Sequence, residues 1–184
     1  MQKKIFPIIL IAALLVSSLV SLFFIHNLQG NAKVINYAGV VRGATQRLIK
    51  QELNHLPNDA LIGQIEGILE ELQTGQGEHG LTRLDSDEFQ GLIVRMRDEW
   101  EQMKEEIYLV RAGGDTDALF EASEAFFGLA DQTVATAEMF SEKSVRSAQR
   151  SMFILNCAFV LLMVLLYIYS CLLYTSPSPR DRSL

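Results

Sequence analysis

Two apolar runs free of Lys, Arg, Asp and Glu, at 5–25 and 152–171, bracket a polar stretch of this chain. Each is long enough to cross the roughly 30 Å hydrocarbon layer of a bilayer, which takes about 20 residues of helix. A cleaved signal peptide is the competing reading of the first run, because Lys3 and Lys4 supply a positive leader end. Against it, the run exceeds the usual leader core of about 7–15 residues, and no small-x-small cleavage pattern follows Phe23, Phe24 and Ile25. Two transmembrane helices are therefore expected. Lys3 and Lys4 hold residues 1–4 in the cytoplasm, which places 26–151 outside and makes the chain a multi-pass protein of the plasma (inner) membrane. Arg146 and Arg150 pull weakly the other way.

Residues 26–151 are the right size for one soluble domain. They hold 12 of the 16 Lys and Arg but 21 of the 22 Asp and Glu. That acidic balance argues against a nucleic-acid partner and against a surface lying on anionic lipid, so lipid contact is left to the two spans. Cys157 and Cys171 both fall in the second run, so no disulfide framework supports the domain. His26, His55 and His79 share no metal-ligand spacing, and no metal is expected. There is no glycine-rich phosphate loop, no nucleophile beside a base and no phospho-accepting His after the second run. No catalytic residue and no cofactor is expected, and the chain does not read as an enzyme.

Within 26–151 apolar residues recur in steps of three and four, the seam period of antiparallel bundles. Val34, Ala38, Val41, Thr45 and Leu48 form one line of a first helix that continues from the span, with Ile35, Arg42, Ile49 and Leu53 beside it. Pro57 stops it near Leu56. Asn58 or Asp59 caps a second helix with Leu61, Ile65, Ile68 and Leu72 inward. A glycine-rich loop at about 74–84, expected to be the loosest part of the domain, leads to a third helix starting at Asp85 or Ser86. Phe89, Ile93, Met96, Trp100, Met103, Ile107 and Val110 line it, and Gly113 and Gly114 end it. A fourth helix opens at Asp115, buries Leu119, Phe126, Ala130, Val134, Ala137 and Val145, and meets no breaker before the second span. Trp100, Phe126, Phe127 and the methionines read as core. The expected fold is all-α, with two transmembrane helices flanking an extracytoplasmic antiparallel four-helix bundle.

Arg42 is out of place on an apolar line, among Ala38, Gly39, Gly43 and Ala44. A desolvated guanidinium costs several kcal/mol unless it is paired. Three solutions are open: an acidic partner on a neighbouring helix, escape to solvent at a loose helix end, or a small anion held between two copies of Arg42 in a symmetric dimer.

The segment Ile35-Asn36-Tyr37-Ala38-Gly39-Val40-Val41-Arg42-Gly43-Ala44-Thr45-Gln46-Arg47 resembles the opening of the sensor domain in nitrate/nitrite sensor kinases and in the type IV pilus chemotaxis-transducer N-terminal family. The resemblance implies a periplasmic four-helix bundle acting as a homodimer. It also implies an anion held by Gly39 and Arg42, with Asn36 and Arg47 in support. The sequence differs from the nitrate sensors around the first Arg, with Val40-Val41 before it and Gly43-Ala44 after it in place of Ser-Leu and Met-Gln. The run Gly39–Leu53 also resembles a variant of Gram-positive, clostridial-type sensors whose members continue into a histidine kinase or a diguanylate cyclase.

Residues 172–184, with two Ser-Pro pairs, cannot continue a signalling helix and resemble translated sequencing-adapter read-through. They are expected to be an artefactual tail. The chain therefore reads as the input module of a bacterial transmembrane receptor cut off before its output domain, which in the first instance is a sensor histidine kinase. A membrane diguanylate cyclase, a chemotaxis transducer and a purely structural membrane bundle are the alternatives. Its ligand is a small anion or an extracytoplasmic protein.

Overall fold

The computed structural model describes the backbone of residues 2–174 and the side chains of residues 8–172. It contains four helices, α1 (Gln2–Glu52), α2 (Asp59–Thr74), α3 (Asp87–Arg111) and α4 (Asp117–Tyr174), and no strand among the described residues. Residues 172–174 belong to α4, while the rest of the expected tail, 175–184, lies outside the described residues. The chain divides into two compact units. One takes the segments up to His26 and from Val145 onward, and the other is Asn27–Ser144.

Local chemistry sets the helix boundaries. Asn58 caps α2 by accepting the Leu61 N–H at 3.0 Å, and Ser86 caps α3 by accepting that of Phe89 at 3.3 Å. Before α4, the Asp115 carboxylate accepts the Asp117 N–H at 3.2 Å, so Asp115 turns the chain and the helix starts two residues later. The helix of α1 stops at Glu52, earlier than Pro57 requires. Leu56 donates to the Gln51 carbonyl and His55 to that of Glu52, each at 2.9 Å, with His55 left-handed at φ 57°. α3 ends in the same way, Gly114 bonding back to Leu109 at 2.9 Å and Gly113 to Val110 at 3.0 Å, with Gly113 at φ 90°. One closure uses glycine; the other forces a histidine into the same backbone shape.

In the unit Asn27–Ser144 the predicted stripes face one core. Val34, Ala38, Val41, Thr45 and Leu48 of α1 are buried, as are Leu61, Ile65, Ile68 and Leu72 of α2 and all seven stripe residues of α3. α4 adds Leu119, Phe126, Ala130 and Ala137, while Val134 is only half-buried, as is Val145, which falls in the other unit. Each fully buried large side chain contributes about 1.5–3 kcal/mol, so this layer dominates the stability of the unit. Trp100 packs on Phe126 with ring centroids 6.0 Å apart. Phe127 differs from expectation: one residue on from Phe126 it is turned about 100° round the helix and is 39% exposed.

Two sets of contacts fix the helix directions. Lys33 of α1 meets His79 and Gly80 of the α2–α3 loop at one end, and Glu52 of α1 meets Asp59 of α2 through Arg111 of α3 at the other. Nineteen residues of α1, about 30 Å, separate these ends, so α1, α2 and α3 run up, down and up. α4 follows α3 from the upper end and runs down.

The other unit consists of the outer parts of α1 and α4. Both helices are long and apolar enough to cross a membrane, and their most apolar windows are buried against nothing in the structure. Ile8, Leu19 and Phe23 on α1 and Phe153, Val160 and Tyr167 on α4 are exposed. Apolar surface on this scale marks contact with lipid or with another chain.

Candidate functional site

The segment that drew attention in the sequence is a regular part of α1, so helical spacing decides what it presents. Asn36, Gly43 and Arg47 are exposed and Gly39 is half-buried, and together they form one outward strip. Nothing lies within 4 Å of a Cβ built on Gly39 or Gly43. At its upper end the strip opens into a shallow groove of about 620 Å³ lined by Gly43, Gln46, Arg47, Lys50 and Asn54. Two cations, Arg47 and Lys50, and the amides of Gln46 and Asn54 thus border a surface with no bulk at Gly43.

Arg42 stands on the flank of this strip, turned towards α4. It is 36% exposed and not sealed in the core, because the buried line of α1 runs through Val41 and Thr45 instead. Its Nη1 donates to Asp131 Oδ1 of α4, and its guanidinium lies 5.9 Å from the centroid of the Phe127 ring. Of the three solutions left open by the sequence, an acidic partner on a neighbouring helix is the one present within a single chain. Asp131 is itself 60% exposed, and an ion pair this wet holds only about 0–1 kcal/mol. The structure brings Gly39 and Arg42 side by side and keeps Asn36 and Arg47 in line with Gly39. It does not enclose the four in a cavity.

The expected loose loop between α2 and α3 is tethered. Glu71, 1% exposed, accepts the Leu81 N–H at 2.7 Å, the His79 N–H at 3.0 Å and the His79 ring Nδ1 at 2.8 Å. Facing a carboxylate, Nδ1 carries the proton. Burial alone pushes the Glu71 carboxyl up, but these hydrogen bonds outweigh it and hold it below the ordinary carboxylate value. The loop passes so close that a Cβ at Gly77 would sit 2.5 Å from the Glu71 carboxylate. Tyr37 of α1 stacks at a tilt on the His79 ring, centroids 4.6 Å apart, and Leu81 and Leu84 are buried.

A second anchor holds the upper end. Arg111 grips Glu52, also 1% exposed, through Nε at 2.9 Å and Nη2 at 2.7 Å, and reaches Asp59 with Nη1 at 2.7 Å. The hydrogen bond to Glu52 is the largest cause that pushes the guanidinium's pKa up, so the pair stays charged. Two buried polar atoms, Thr45 Oγ1 and Trp100 Nε1, find no hydrogen-bond partner among the described residues. A groove of about 260 Å³ between α2 and α3 is lined by Glu66, Glu70, Arg97, Trp100 and Glu101, and neighbours outside the lining engage its charges, Lys104 pairing with Glu66 and Glu101 and Gln73 accepting from Arg97. Among the described residues no group of three or more His, Cys, Asp or Glu is placed to hold a metal ion.

Sequence reasoning missed Asp131, Phe127, Glu71 and the Glu52–Arg111–Asp59 cluster. All depend on which residues of different helices stand at one height. Glu71 carried one readable signal, an acidic residue beside the apolar stripe position Leu72.

The described helices of the unit Asn27–Ser144 thus form an up-down bundle with an open polar strip on its first helix. The chain is similar to a solved structure of this kind, the ligand-binding domain of the P. aeruginosa nitrate receptor McpN, with a TM-score of 0.52 and 20% identity over 58% of this chain and 94% of that domain. At that identity the likeness is one of fold. No protein-family model matches the sequence, and no curated protein matches it.

Proposed function

We propose that this chain is the input module of a bacterial transmembrane receptor. In this reading 5–25 and 152–171 cross the plasma membrane and the bundle lies outside the cytoplasm. A small oxyanion binds on the strip of α1, held by Arg42 against Gly39, with Asn36 and Arg47 in support, and two copies share it across facing first helices. The output, a histidine kinase before a cyclase or a chemotaxis transducer, follows the second span in the parent protein.

The observation that carries the reading is the fold likeness to a nitrate receptor's ligand-binding domain over 94% of that domain. Three features support it. The strip is open at its two glycines, so another helix has room to approach. Its charged members are cations, which suits an anion. The exposed apolar ends of α1 and α4 need a cover that water does not provide.

Binding can switch such a bundle only if the anion favours one helix packing over another. Full-length protein in detergent micelles, titrated with sodium nitrate, nitrite and formate at constant ionic strength, tests the input. A rise in melting temperature that Arg42→Ala removes is expected. No shift with any of the three rules out a small oxyanion and turns attention to a protein ligand.

A further inference from the structure

The partner that Arg42 has within the chain bears on how the proposed site works. Asp131 presents to the guanidinium a planar group with two oxygens on one trigonal centre. Nitrate, nitrite and formate present the same arrangement and the same single charge. The carboxylate therefore occupies on Arg42 the position a diffusible planar monoanion would take. We infer that Asp131 is a built-in competitor for that anion, a specificity- and affinity-setting residue displaced from Arg42 when the ligand binds. This inference rests on the anion reading of the strip.

Three observations carry it. Asp131 is 60% exposed, so on leaving Arg42 it returns to water with little change in its own hydration. The exchange leaves each Arg42 with an anionic partner, its own or one shared with the second copy, and the core gains no unpaired group. Phe127, 5.9 Å from the guanidinium, stays beneath it through the exchange and holds the Arg42 head in place while the oxygen partner changes. A tetrahedral anion does not fit this exchange, since it alters the plane of the contact. The pair also joins α1 to α4, the two helices that carry the long apolar runs, so displacement of Asp131 unties them at this height.

An exposed pair competes weakly. The strength of such pairs sets a gain of about 1.5- to 5-fold in affinity on removing the competitor from one copy, and about 2- to 25-fold where one anion must displace both copies' carboxylates.

The test is calorimetric titration of sodium nitrate into full-length protein in micelles, with wild type, Asp131→Asn and Arg42→Gln compared. Expected are measurable binding by wild type, tighter binding by Asp131→Asn within that range, a smaller ratio between nitrate and sulfate affinity in Asp131→Asn, and no binding by Arg42→Gln. Equal or weaker nitrate binding by Asp131→Asn, with wild type binding and Arg42→Gln silent, overturns the inference and leaves the anion reading standing. Silence from both wild type and Asp131→Asn removes the anion reading and this inference with it. Asp131→Asn melts within a few degrees of wild type if the pair is as weak as its exposure indicates. A larger loss makes Asp131 a structural brace and overturns the inference by itself.

Discussion

A buried charge is costly to desolvate, and the charges of this bundle divide by how that cost is met. Arg42 avoids it by staying one-third in water, so its pairing with Asp131 is exchangeable. Glu71 meets it with three hydrogen bonds, two of them from backbone groups of the loop that would otherwise be buried without partners. Glu71→Gln keeps the shape but sets an amide NH₂ among N–H donors, which is expected to cost about 2–3 kcal/mol at neutral pH. Because the folded-state pKa of Glu71 is lowered, its stabilisation is complete above the ordinary value of 4.5 and is lost as the pH falls through the folded value. The gap between wild type and Glu71→Gln should therefore be constant near neutrality and close in acid. Urea midpoints followed by the fluorescence of Trp100, the sole tryptophan and a core residue, measure it. A gap that widens in acid contradicts the hydrogen-bond account.

At the scale of the helix, the joints carry more information than the rods. The α1–α2 joint and the end of α3 use one closure, but α1 puts His55 where α3 puts Gly113. A side chain in the left-handed region costs about 1–2 kcal/mol, offset in part by the extra unfolded-state entropy of glycine. His55→Gly should stabilise the protein by about 0.5–1 kcal/mol and His55→Val should destabilise it, both read from denaturation midpoints. The caps of α2 and α3, each to within one residue, and the glycine stop of α3 were legible because each is a contest among neighbours in sequence, whereas α1 ends at Glu52 and not near Leu56, its closure falling on His55. The seams were legible too, since a period of three and four survives whatever packs against it. Thr45 was placed correctly on its line, but nothing in the sequence reveals that its hydroxyl lacks a partner. The pairing of Arg42 with Asp131, 89 residues apart, and of Arg111 with Glu52, 59 apart, was not legible. A shift of one turn between antiparallel helices keeps every stripe buried and changes every such pair, so pattern alone cannot choose the register.

For the whole molecule, the two glycines of the strip separate a lone bundle from a paired one. In the single chain Gly39 and Gly43 sit in ordinary helix with open space where a Cβ would stand, so nothing about the monomer requires them. On helix propensity alone, Gly39→Ala and Gly43→Ala should each stabilise the bundle by about 0.8–1 kcal/mol. If two first helices approach across this face, the same methyl groups sit between them and hold the backbones apart. The double substitution then has effects of opposite sign: a higher denaturation midpoint at dilutions where the chain is monomeric, and weaker self-association. Energy transfer between donor- and acceptor-labelled full-length chains, diluted with micelles, reads the second quantity beside the first. A protein that gains stability and associates as well as wild type places its partner on another face, and the sharing of an anion between two copies of Arg42 fails with it. A protein that gains stability and loses association shows that the glycines serve the pair at the expense of the single bundle.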